Sequence, residues 1–133
     1  TGLLYVWVFV NLKNNSFVPE YLAYFMLGGT LALFFFFFFT LFFKVSLHTI
    51  GLGALTAAFF LVKNHYSFSD VALPWWGHSS LIIDTNVVLI LLILISGWVA
   101  TCRLLLKAHT LFQLYLGYLL GCTAMLLAYF IYL

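Results

Sequence analysis

The sequence predicts an all-α protein, a polytopic bundle of transmembrane helices that forms a single helical domain over residues 1–133. Three observations predict it. Apolar residues make up 66% of the chain and aromatic residues 21%, whereas charged residues make up only 6%; soluble domains carry roughly a quarter. The apolar residues fall into runs near the roughly 20 residues that a helix needs to cross a bilayer core. The breaks between those runs hold nearly all the charge and both prolines, Pro19 and Pro74.

In order, "TGLLYVWVFVNL" (Thr1 to Leu12) is a partial helix, since twelve residues rise only about 18 Å against a core of about 30 Å. The chain is therefore expected to begin inside a membrane helix, as the C-terminal two thirds or so of a larger bundle. "KNNSFVPE" (Lys13 to Glu20) has turn chemistry followed by a helix start. Full spans are expected over Tyr21 to Phe43, Ser46 to Val62, Leu81 to Thr101 and Leu111 to Leu133. The six phenylalanines from Phe34 fit a helix apolar on all sides. The longest break, Lys63 to Ser80, contains Pro74, Trp75, Trp76 and Gly77; it reads as an irregular loop on the membrane surface with tryptophan anchors.

The small net charge of +2 has no basic run, so nucleic acid is excluded as a partner and membrane lipids or membrane proteins are expected. Cys102 and Cys122 lie in apolar helical sequence without metal-type or disulfide-framework spacing and read as packing residues. No metal or cofactor is implied by any spacing.

Alternating crossings bring two short junctions to one face of the membrane: Lys44 to His48, and Arg103 to His109. Each carries a cation and a histidine at a helix end. His109, Gln113, Gly117 and Gly121 are spaced by four and share one helical stripe, with a Gly-x-x-x-Gly contact below the polar pair; packing inside the bundle is its expected use. Gln113, one turn from His109, is expected to hold the tautomer of that ring. Arg103, Lys107 and Lys44 are expected to form a basic cup for an anion near the headgroups, although snorkelling also explains Lys107. The cation count favours a cytoplasmic cup by the positive-inside rule, but cations that bind an anion are poor topology signals, so sidedness stays open.

These residues resemble a known family. "VSLH" (Val45 to His48), and Cys102-Arg103 followed by His109, Gln113, Gly117 and Gly121, resemble the second and third motifs of the type-2 phosphatidate phosphatase superfamily, closest to its short bacterial members. The resemblance covers about Lys44 to Gly121. It implies a six-helix membrane core, a location in the bacterial inner membrane, and metal-independent hydrolysis of a lipid phosphate of the polyprenyl (pyro)phosphate or phosphatidate type. In that scheme His109 is the nucleophile that becomes phosphohistidine and His48 the acid, while Arg103, Ser46 and Lys44 bind phosphate. Val45, Leu47 and Gln113 stand where the family has Pro, Gly and Asp, and the family's first motif is not found.

Two alternatives stand beside it: a catalytically inactive phosphatase-like subunit with a binding or assembly role in a membrane complex, favoured by Gln113, and a haem-b subunit ligated by His48 and His109. His65 and His78 are expected to be solvated or to meet headgroups. Asp84 is expected near a helix N-terminus, and Thr49 and Thr110 are expected to bond back into their helices.

Overall fold

The computed structural model describes residues 1–77 and 79–132; His78 and Leu133 lie outside the described residues. Among them the chain forms α1 (Gly2–Lys13), α2 (Glu20–Thr40), α3 (Leu47–Tyr66), strands β1 (Asp70–Pro74) and β2 (Ser80–Asp84), then α4 (Thr85–Leu105) and α5 (Leu111–Tyr132). The helices α2, α3, α4 and α5 are long and apolar enough to cross a membrane. Large apolar side chains cover the outside of the bundle, among them Phe37, Leu91, Leu94, Trp98 and Phe130. So much exposed apolar surface is the mark of a membrane protein whose solvent is lipid.

The core is a seam of small residues between α3 and α5. A Cβ at Gly121 would run into the Ile50 carbonyl, one at Gly117 into the Thr49 hydroxyl, and one at Gly53 into the Tyr118 carbonyl. Ala124 and Ala128 continue the α5 stripe and are fully buried, and Ala54 and Ala58 on α3 are buried as well. The stripe expected from Gly117 and Gly121 therefore packs inside the bundle. Small residues let the backbones approach closely, which is how helices associate where lipid offers no hydrophobic contrast. Met125 crosses from α5 to Gly28 on α2, and α1 lies along α2 with Tyr5 beside Gly29. The outer helix α4 packs chiefly on α3.

Several boundaries differ from the sequence expectation. The second span ends at Thr40 rather than Phe43, and the third runs on to Tyr66, where Ser67 ends it in a left-handed conformation. The fourth starts at Thr85 rather than Leu81, and extends to Leu105, so Arg103 sits in its last turn. The expected irregular loop is largely a β-hairpin. Its strands pair antiparallel from Asp70↔Asp84 to Pro74↔Ser80, with Trp75 and Trp76 at the tip. Leu81, Ile82 and Ile83 belong to β2, and Asp84 divides strand from helix: its carboxylate accepts a hydrogen bond from the Asn86 amide at 2.7 Å and caps α4, the helix-start position expected of it. Pro74 sits at the end of its strand, where its missing N–H costs little.

Candidate functional site

The α2–α3 and α4–α5 junctions meet at one end of the bundle. The joining contact is between Arg103 and His48: one guanidinium nitrogen lies 2.7 Å from Nδ1 and 3.1 Å from Nε2 of the ring. A guanidinium only donates, so the ring nitrogen facing it accepts with its lone pair. Two residues 55 positions apart thus form one polar unit at the depth where α3 begins and α4 ends.

Ser46 is the N-cap residue of α3 and is 1% exposed. Its carbonyl accepts from the Thr49 hydroxyl at 2.9 Å, the back-bond expected of that threonine, and from the Ile50 amide at 3.2 Å. Its own hydroxyl caps nothing and is buried without a hydrogen-bond partner among the described residues. A buried hydroxyl at the positive end of a helix is a donor held ready for an acceptor.

His109 directly precedes α5 and is half-buried, and its Nδ1 is buried with no partner among the described residues. Gln113 does not hold it. The Gln113 side-chain carbonyl accepts from the Thr110 amide at 3.1 Å, and the Thr110 hydroxyl accepts from the Gln113 amide at 3.4 Å. This is a capping box that closes the α5 N-terminus, so Thr110 is a cap rather than a back-bonded residue. The Thr-x-x-Gln signal was present in the sequence and competes with the tautomer-holding role for the same amide.

Lys107 adopts φ 52. The Lys107 amide donates to the Leu104 carbonyl at 2.9 Å and the Ala108 amide to the Arg103 carbonyl at 3.1 Å. Together these form a Schellman termination of α4, with a lysine where glycine is usual. Lys44 is exposed at the first junction, with no hydrogen bond to a described residue. The structure therefore joins His48 to Arg103, places the buried Ser46 hydroxyl and the buried Nδ1 of half-buried His109 at the same end without partners among the described residues, leaves Lys44 without a hydrogen bond to a described residue, and assigns the Gln113 side-chain carbonyl to the helix cap.

A cavity of about 400 Å³ runs from this end into the membrane-spanning region between α3, α4 and α5. Its walls include Thr49, Ala100, Leu104, Leu111, Leu114 and Tyr118. It exists because α4 leans on α3 and leaves α5 uncovered on that side, a feature of tertiary packing that the sequence pattern does not carry.

Comparison with known protein families, curated proteins and solved structures finds no match to this chain.

Proposed function

We propose that the chain is an integral membrane lipid-phosphate phosphatase of the bacterial inner membrane, acting on a polyprenyl (pyro)phosphate or phosphatidate-type lipid. The observation that carries this reading is the Arg103–His48 contact, which unites a cation and a titratable ring from separate junctions. The unpartnered Ser46 hydroxyl and His109 ring nitrogen at the same end support it, as does the adjacent cavity, whose apolar walls suit a lipid chain while the headgroup stays at the polar rim.

The chemistry follows from these groups. His109 attacks phosphorus, the new P–N bond forms as the P–O bond to the lipid breaks, and the leaving oxygen takes a proton from His48. Water then cleaves the P–N bond to release phosphate. For His48 to carry that proton, the guanidinium must leave its ring nitrogen; movement of Arg103 onto the phosphate oxygens frees the nitrogen to take a proton from water and offsets one negative charge of the substrate. Phosphoryl transfer needs mainly positioned charge and an aligned nucleophile, and the Ser46 hydroxyl adds a donor at a helix N-terminus.

The capping role of Gln113 favours a second reading, a catalytically inactive subunit that binds or assembles in a membrane complex, because no carboxylate steadies an imidazolium at His109. Phosphate release from a panel of lipid phosphates by the full-length protein separates the two. Release that disappears in a folded His109→Ala variant supports the phosphatase; no release above that variant's background supports the binding subunit.

A further inference from the structure

At the opposite end of the bundle, the first turns of α2 and the last turns of α3 and α5 converge on a cavity of about 240 Å³ lined by Glu20, Tyr24, His65, Tyr66, Tyr129 and Tyr132. Tyr24 is its centre and is 1% exposed. The Tyr66 ring lies parallel to it at 6.2 Å between centroids, Tyr129 stands edge-on at 6.2 Å, and Tyr132 is tilted at 6.5 Å. His65 is held between Tyr66 and Tyr129, with its Nδ1 2.7 Å from the Tyr129 hydroxyl. The Tyr24 hydroxyl is buried with no partner among the described residues. Glu20 is exposed and marks the mouth.

Four tyrosines and one carboxylate line the cavity, and both kinds of group attract a cation. The faces of aromatic rings carry negative potential and attract a positive group within about 6 Å of their centroids. A carboxylate at the rim, that of the exposed Glu20, adds a full negative charge. The Lys63 ammonium donates to the Asn86 side chain and is not among the residues that line the cavity. A metal ion fits poorly, because one carboxylate and a histidine already engaged through Nδ1 are too few hard or nitrogen ligands. A soft organic cation fits well: its methyl or methylene groups meet the rings, and the Glu20 carboxylate balances its charge.

We propose that this tyrosine cage binds an organic ammonium group, either the choline or ethanolamine end of a membrane lipid or a soluble amine of the same chemistry. The cage lies across the membrane from Arg103 and His109 and does not depend on the phosphatase reading. It gives the protein a second recognition point at the other membrane surface.

The test uses the full chain in nanodiscs of phosphatidylglycerol alone, which supply no amine. Tetramethylammonium chloride and ethanolamine hydrochloride are titrated against sodium chloride of equal ionic strength, with binding read by calorimetry and tyrosine fluorescence. Saturable binding of at least one amine is expected, weakened about tenfold by Glu20→Gln and by Tyr132→Leu. The Glu20 variant changes an exposed side chain, and its thermal melt serves as the folding control. Nanodiscs that also contain phosphatidylcholine and phosphatidylethanolamine then separate the sources by native mass spectrometry. Retention of an amine lipid by the wild type and its loss in Glu20→Gln identify a headgroup site, whereas amine binding without lipid retention identifies a soluble ligand. No saturable binding of either amine, or equal affinity in wild type and Glu20→Gln, overturns the proposal.

Discussion

Replacing Gly121 by alanine adds one methyl group at the tightest point of the bundle. Its Cβ would stand 2.7 Å from the Ala54 amide nitrogen and closer still to the Ile50 carbonyl oxygen, and both are backbone atoms of α3 that no rotamer change can move aside. Ordinary contact needs roughly 3.5–4.0 Å, so α3 and α5 must separate by about 1–1.5 Å. Such a gap forfeits about a quarter to a half of the dispersion energy along the small-residue seam. Overpacking strain adds about 1–3 kcal/mol, for an expected loss of about 2–4 kcal/mol. Two companions calibrate the number. Gly51→Ala points into open space and should stabilise by roughly 0.5–1 kcal/mol through helix propensity. Gly28→Ala meets mainly the flexible end of Met125 and should fall between the two. Thermal melts in a single detergent should place Gly121→Ala about 10 °C below wild type and Gly51→Ala at or above it. Equal melting temperatures for Gly121→Ala and Gly51→Ala would refute the close α3–α5 seam.

Three further substitutions probe the junction end. Arg103→Lys keeps the charge but loses the planar fork, so kcat/KM on a lipid phosphate should fall on the order of 100-fold with the melt unchanged; full activity would remove the guanidinium from the site. Gln113→Ala should cost about 1 kcal/mol in the melt, through loss of the cap, with kcat changed less than about threefold. A drop in kcat of orders of magnitude at an unchanged melt would return Gln113 to the ring of His109. Lys107→Gly relieves a left-handed lysine and should raise stability by about 1 kcal/mol, read as an increase of a few degrees in the melt; a lower melting temperature would mean that the lysine side chain stabilises the helix end.

The parts of the fold set by composition were readable in the sequence. Four spans followed from hydropathy, and counting crossings brought Lys44–His48 and Arg103–His109 to one end, where His48 and Arg103 meet. The four-residue spacing of Gly117 and Gly121 gave the packing face, and Asp84 was recognisable as a helix start. The hairpin was hidden because Leu81-Ile82-Ile83 runs almost directly into the apolar α4 sequence; only the cross-strand partners Asp70 to Pro74 distinguish strand from span, and pairing is not a local signal. Gln113 was misread although its cap signal was local: Thr110 competes with His109 for the same side chain, and the three-residue spacing that forms a capping box prevails over the four-residue stripe. The tyrosine cage had no sequence signature, since Tyr24, Tyr66, Tyr129 and Tyr132 are scattered along the chain and only the packing of α2, α3 and α5 gathers them.

Rapid acid-free quenching of the full-length protein during turnover of a phosphorus-labelled lipid phosphate, followed by peptide mass spectrometry, tests the proposed chemistry at its covalent step. Phosphate on the nitrogen of His109, acid-labile and missing in His109→Ala, is the predicted result. Hydrolysis without label on His109 would contradict the phosphohistidine route, and neither label nor hydrolysis on any lipid tested would contradict the enzyme reading itself.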